Sequence, residues 1–197
     1  MSITIQQQIG QLIIAGFRGK TVEPGSDIER YIKKYNIGGV ILYDEDLAIG
    51  GSGTRNIESP SQVKDLTKQL QSLGNNNLLI SIDQEGGDVH RLRTVYGFEE
   101  TPSWNHIGLL KNELMTEEFS RSMATTLSGL GINLNFAPVL DLDHGAGKVI
   151  SDSKRAFSSD PKIVKKNSKI FVHQHRLLGV ITCGKHFPGL GSASGDT

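Results

Sequence analysis

The chain has 197 residues, and its 21 Lys and Arg balance 21 Asp and Glu for a formal net charge of zero. That length suits one sizeable core rather than two, and the charge balance excludes nucleic-acid or anionic-membrane binding driven by bulk charge. A single cysteine excludes an intrachain disulfide. No apolar run approaches the ~18 residues of a membrane span.

The 37% hydrophobic content and 23 glycines are those of a soluble, loop-containing globular domain. The first residues, MSITIQQQIGQLIIAGF, carry neither a basic leader nor a cleavage motif. Gln11–Phe17 (QLIIAGF) is a short apolar run that predicts a buried strand. Ser26-Asp27-Ile28-Glu29 then fits a capping box, with the Ser oxygen taking the third helical N–H and Glu29 reaching back to the cap. Ile28, Tyr31, Ile32 and Tyr35 follow at helical spacing.

Gly38–Tyr43 (GGVILY) predicts the second strand. Ser59-Pro60-Ser61-Gln62 repeats the helix-start signal, with Pro at the first helical position and Gln where a capping box wants it. Val63, Leu66, Leu70 and Leu73 form the stripe behind it. Leu78–Asp83 (LLISID) is the third strand. A helix predicted from about Thr116 buries Phe119, Met123, Thr126, Leu127 and Leu130, with Glu117 and Glu118 at the positive end of its dipole. Leu134–Leu142 (LNFAPVLDL) is a fourth strand, in which Pro138 implies a bend. Asp160-Pro161 opens a helix running to about Leu178. Val180–Lys185 is the fifth strand, and Cys183 within it reads as a buried, inert thiol.

Helices interleaved with apolar strands imply right-handed crossovers and a parallel sheet in an α/β fold. Strands without polar alternation fit a sheet covered on its outer face. Two architectures satisfy this: an open doubly wound sheet, or the first five strands of a (β/α)8 barrel. Gly16-Phe17-Arg18-Gly19 after the first strand does not match a dinucleotide-binding turn, which weighs against the first.

Polar residues gather at strand C-termini: Asp83 after the third, Asp141 and Asp143 after the fourth, Lys185-His186 after the fifth. In parallel α/β proteins that edge holds the ligand site. Plainer readings exist for each. Asp83 could cap the Glu85-Gly86-Gly87 turn, Asp143 reads best as an Asx turn, Arg91 and Arg93 could be an ordinary exposed face, and Arg155 could pair with Asp160. His173 and His175 are two apart on a helix and so cannot share a metal. Gly50–Thr54 lacks the Lys-Ser/Thr ending of a phosphate loop and reads as a flexible insertion. No Cys/His cluster implies a metal, and no cofactor is expected. Carboxylates, arginines, a lysine and a histidine suit a neutral polyhydroxylated ligand such as a sugar.

Four ordered motifs carry a more specific signal: DQEGGDVHRL from Asp83, NFAPVLD from Asn135, RAFSSDP from Arg155 and KHFPG from Lys185. Together with IGQL from Ile9, GFRG from Gly16 and IGGVIL from Ile37, they resemble glycoside hydrolase family 3, in its bacterial β-N-acetylglucosaminidase branch. The resemblance spans nearly the whole chain.

It implies a TIM barrel, with residues 1–197 as the N-terminal part of one glycosidase domain. It implies retaining hydrolysis of terminal β-linked N-acetylglucosamine from muropeptides or chitooligosaccharides through an aspartyl glycosyl-enzyme. Asp83 and Arg91 would grip the sugar hydroxyls, and Arg155, Lys185 and His186 would complete the subsite. Asp196 would be the dyad partner of an acid/base histidine expected just beyond Thr197, and the nucleophilic aspartate would lie later still. The 197 residues alone would then hydrolyse nothing. The family often has His where this chain has Leu190, and Gly50–Thr54 looks longer than in its shortest members. A family 3 β-glucosidase or β-xylosidase, a non-catalytic sugar-binding relative, and an open α/β binding protein are the competing readings. The expected partner is a carbohydrate, with neither nucleic acid nor membrane, and no oligomeric state follows. The family's usual setting is cytoplasmic, which suits the leaderless start; a removed leader would instead imply the periplasm or secretion.

Overall fold

The computed structural model describes residues 4–74, 78–145 and 148–193. Five strands interleave with helices along the chain, giving the α/β class that the alternation predicts. The chain forms two compact units: Met1–Ile82 with Arg91–Glu99 and Gly129–Leu134, and Asp83–His90 with Glu100–Ser128 and Asn135–Thr197.

The first unit holds a parallel sheet of β1 (Ile14–Gly16), β2 (Gly39–Leu42) and β3 (Leu79–Ile82), in that order. Ile14 registers with Gly39 and Gly39 with Leu79. Val40, Leu42, Ile80 and Ile82 are wholly buried. On the far side of β3, Asn133 leads into the strand Leu134–Asn135, which follows β3 in the sheet order. Its Oδ1 accepts from Ile80 N at 2.8 Å, its Nδ2 donates to Leu78 O at 3.0 Å, and its own N–H donates to Ile80 O at 3.1 Å.

The crossovers are α2 (Asp27–Tyr35), which buries Ile28 and Ile32, and α3 (Pro60–Leu73), which buries Val63, Leu66 and Leu70. Ser26 and Ser59 cap them by accepting from Glu29 N and Gln62 N. The capping-box return contact differs from expectation. Glu29 accepts from Gly25 N and Gln62 from Glu58 N, each one residue upstream of the cap. Helix α1 (Ile5–Gly10), capped by a Thr4–Gln7 box, is an element that apolar periodicity did not reveal. The expected first strand is shorter than QLIIAGF and is not buried, since Leu12 is 85% and Ile14 36% exposed. Within this unit β1 pairs on one side only, with β2, and Gln11 at the start of the expected strand is instead the C-cap of α1.

The second unit contains α4 (Trp104–Leu110), all but the last residue of α5 (Glu113–Gly129), α6 (Pro161–Leu177) and β5 (Ile181–Thr182). Strand β4 (Leu134–Asn135) enters it at Asn135. The expected fourth and fifth strands are much reduced: Pro138 has no N–H to give a ladder, and pairing resumes only as a Val139–Lys185 bridge. Cys183 N donates to Asn135 O and Ala137 O, but its thiol is exposed, contrary to the buried reading. The neighbouring Ile181 is 55% exposed, so this face of β5 carries no cover among the described residues.

Helix α5 starts three residues earlier than Thr116, with Asn112 Oδ1 accepting from Leu114 N. Thr116, Ser120, Met123, Ala124 and Leu127 form its buried face, rotated from the expected stripe. Buried Thr116 donates to Asn167 Oδ1 on α6 at 2.6 Å, and this polar pairing turns the helix. Helix α4 also lies outside the sequence expectation. Trp104 packs with Phe157 and Phe171 at ring-centre distances of 5.0 and 5.2 Å. Gly108 permits that contact, because a Cβ there would come within 1.8 Å of Phe157 O.

Candidate functional site

In the second unit, six polar side chains form one connected chain: Asp83, Lys185, Glu85, Arg155, His186 and Asp141. Asp83 follows β3 directly, Asp141 follows the bridge residue Val139, and Lys185-His186 follow β5. The segment before Arg155 is a π-helical turn, Lys148–Asp152, and Arg155 N donates to Ile150 O within it.

Lys185 Nζ donates to Asp83 Oδ1 at 2.8 Å and to Glu85 Oε1 at 2.6 Å. Glu85, which has no solvent exposure, takes Arg155 in a two-pronged grip at 2.7 and 2.8 Å. Such planar, bidentate pairs are the strong ones. Arg155 Nη1 also donates to Val149 O, and Nη2 lies 3.2 Å from His186 Nε2.

A guanidinium can only donate, so His186 Nε2 accepts and the ring proton resides on Nδ1. Nδ1–H then donates to Asp141 Oδ2 at 2.6 Å, which also receives His186 N–H at 3.1 Å. Burial works against ionisation of Asp141. The ring of His186 and the N–H groups of Leu190 and His186 outweigh it, holding the carboxyl below the usual aspartate range. Burial likewise disfavours the Arg155 cation, but Glu85 more than offsets this and raises its pKa. Asp83, Lys185 and His186 keep 18 to 24% of their side-chain surface in solvent, so their outer edges can meet a ligand.

The sequence-predicted residues Asp83, Arg155, Lys185 and His186 therefore come together. Arg155 pairs with Glu85 rather than Asp160, whose carboxylate caps α6 through Lys162 N. Asp83 meets Lys185 rather than capping the following turn. Asp143 is the Asx turn expected, accepting from Gly145 N, and it also receives Ser151 and Asn105. Glu85 was missed as a site residue. Its one signal was its place in the DQEGG stretch, since its partner Arg155 is 70 positions away.

Arg91 belongs to the first unit, and neither it nor Arg93 forms an ordinary exposed face. Both turn to the buried Asp44 carboxylate, at 3.8 Å from Arg91 Nη1 and 2.8 Å from Arg93 Nε. Tyr96 OH donates to the same carboxylate at 3.4 Å, and the Arg91 guanidinium lies 5.5 Å from the Tyr43 ring centre. Gly50–Thr54 is held by hydrogen bonds: Thr54 Oγ1 donates to Gly51 O and accepts from Asp46 N. Arg18 closes the base of that loop on Asp46. Asp196 lies outside the described residues.

Beneath the site, fully buried His175 stacks on Phe171, its Nδ1 donating to Phe171 O at 3.0 Å. Burial lowers its pKa to about 4 despite that bond, so the ring is neutral near pH 7. Its Nε2 can then accept from Asn135 Nδ2 at 3.4 Å. Among the described residues, no group of three or more His, Cys, Asp or Glu is placed to hold a metal ion.

Known proteins match along the chain. The β-hexosaminidase of Hydrogenovibrio crunogenus is 39% identical over 167 residues, covering 82% of this chain and 43% of that protein. The chain thus spans less than half the length of the curated relatives it matches. A glycoside hydrolase family 3 β-N-acetylglucosaminidase from Paenibacillus superposes with a TM-score of 0.86 at 32% identity, over 99% of this chain and 35% of that one. NagZ from Neisseria gonorrhoeae, solved with N-trifluoroacetyl-D-glucosamine, gives a TM-score of 0.81 at 32% identity, over 94% of this chain and 52% of that one. Residues 4–197 match the glycosyl hydrolase family 3 N-terminal domain, and the chain belongs to that family.

Proposed function

We propose that this chain is the sugar-binding N-terminal part of a retaining exo-β-N-acetylglucosaminidase. In this reading, residues 1–197 are part of one barrel domain. Its acid/base histidine and nucleophilic aspartate follow Thr197, and Asp196 orients the histidine. Terminal β-linked N-acetylglucosamine leaves a muropeptide or chitooligosaccharide by way of an aspartyl glycosyl-enzyme.

The observation that carries the reading is the continuous polar chain from Asp83 to Asp141, tied by Glu85 and Arg155. Such a network holds donors and acceptors rigid against one another. Its outer members, Asp83, Lys185 and His186, can bond vicinal hydroxyls without reorganising, which is what positions an anomeric carbon for attack. Relatives named β-hexosaminidase, and a neighbour solved with an N-acylglucosamine analogue, support the carbohydrate class.

The test is a parallel assay of the full-length protein on aryl β-N-acetylglucosaminide and aryl β-glucoside. The expected result is faster turnover of the first with the β-anomer released. Faster glucoside turnover would transfer the protein to the β-glucosidase class.

A further inference from the structure

One buried amide holds the segment that carries two carboxylates of the polar network, all within the second unit. Gln84 lies between Asp83 and Glu85, which clasp Lys185 Nζ at 2.8 and 2.6 Å. A single side chain bonds its backbone at both ends. Asn135 Oδ1 accepts from Gln84 N at 3.1 Å, and Asn135 Nδ2 donates to Gln84 O at 3.0 Å. The backbone carbonyl of Asn135 accepts from Cys183 N at 3.0 Å, two residues before Lys185. One residue therefore ties together the segment bearing the carboxylates and the segment bearing the lysine.

Which way the amide faces is decided from α6. Phe171 O can only accept, so its 3.0 Å contact places the His175 proton on Nδ1 and leaves Nε2 with a lone pair. That lone pair lies 3.4 Å from Asn135 Nδ2. The reversed amide would set an oxygen against the lone pair and against Gln84 O, and would turn N–H groups on Gln84 N–H. Asn135 and His175 are both wholly buried, so neither has surface to offer a ligand. What they do for a ligand must pass through the residues they hold.

We propose that Asn135, oriented by His175, is a positioning residue for sugar binding: it fixes Gln84 so that Asp83 and Glu85 meet Lys185 in the geometry that grips the hydroxyls. This rests on the glycosidase reading above. Its consequence is a coupling. The loss caused by removing the amide passes through Asp83, and it shrinks once Asp83 is gone.

The experiment is a double-mutant cycle in the full-length enzyme on an aryl β-N-acetylglucosaminide. Asn135→Leu, similar in volume but without the two bonds, should lower kcat/KM about tenfold or more. In an Asp83→Ala background the same change should cost about threefold or less. His175→Phe keeps the ring stack on Phe171 but removes the acceptor. It should cost about threefold in the wild type and little in the Asp83→Ala background. Thermal unfolding of each variant checks folding, and the His175→Phe cycle carries the test should Asn135→Leu unfold the protein. Losses equal in the two backgrounds mark a merely structural role and overturn the proposal while leaving the glycosidase intact, as does no loss at all. A wild type inactive on every aryl N-acetylglucosaminide overturns the glycosidase reading and the positioning role with it.

Discussion

Glu85 and Asp44 are both buried carboxylates facing two cations, one in each unit, but they spend their charge differently. Glu85 takes Arg155 through both oxygens at 2.7 and 2.8 Å and Lys185 at 2.6 Å, leaving Arg155 only 11% exposed. Asp44 holds Arg93 at 2.8 Å and Arg91 at 3.8 Å, and those side chains keep 32% and 24% of their surface in solvent. The first arrangement fixes a guanidinium as framework. The second steadies two guanidiniums, one of them near the Tyr43 ring, while leaving part of each accessible. Rigid pairs of the first kind shape a site, and looser ones of the second kind can still respond to a ligand.

Breaking the tight pair should have the largest effect. Glu85→Ala in the full-length protein leaves two cations facing an empty, buried position, and urea unfolding should show a loss of about 3–5 kcal/mol. A loss below about 1 kcal/mol would reduce the network to an ordinary surface pair.

Acid should strain the same unit from beneath. His175 has a pKa of about 4 folded against 6.5 unfolded, so the unfolded state binds the extra proton between those values. Stability is therefore full above pH 6.5 and falls as pH drops toward 4, by about 3 kcal/mol in all. The lowered pKa of Asp141 adds its own loss only below the usual aspartate range. Tm followed from pH 7.5 to 4 tests this, and His175→Gln should flatten the slope.

Asp83→Ala removes a charged partner of Lys185 at the ligand edge, and kcat/KM should fall about tenfold to a hundredfold. Near-normal turnover would take Asp83 out of the site. The smallest effect should come from the looser cluster. Asp44→Asn should cost about 1 kcal/mol in urea unfolding, since Arg91 and Arg93 keep part of their surface in solvent. If Asp44→Asn matched Glu85→Ala in unfolding free energy, the distinction between the two clusters would collapse.

The sequence was most legible where a local rule acts over a few residues. Ser26, Ser59 and Asp160 cap their helices as expected, and Ile28, Ile32, Val63, Leu66 and Leu70 face the core. Short elements were not legible. Helices α1 and α4 span six and seven residues, too few for a period to stand out, and their signals lie in the caps Thr4 and Ser103. Cys183 sits in an apolar run whose face on β5 is uncovered, so its neighbours misstate its surroundings. In the site, motif order identified Asp83, Arg155, Lys185 and His186, but Glu85 became visible only when the fold brought Arg155 back across 70 positions. Asp44 was hidden for the same reason, since its partners arrive 47 and 49 residues later in a segment that reads as alternating surface.

The role of Asn133 in closing the edge of β3 has a consequence for how the protein is made. β1, β2 and β3 can pair in the order they leave the ribosome, each strand meeting the one completed before it. The outer edge of β3 must wait, because Asn133 follows Ile80 by 53 residues. At synthesis rates of about 5–20 residues per second, that edge stands open for roughly 3–10 s. An unpaired parallel strand rich in Leu and Ile is a template for other chains. Crowded polysomes are therefore where this protein is most exposed to misassembly, and slowing translation between Ile82 and Asn133 should lower its soluble yield.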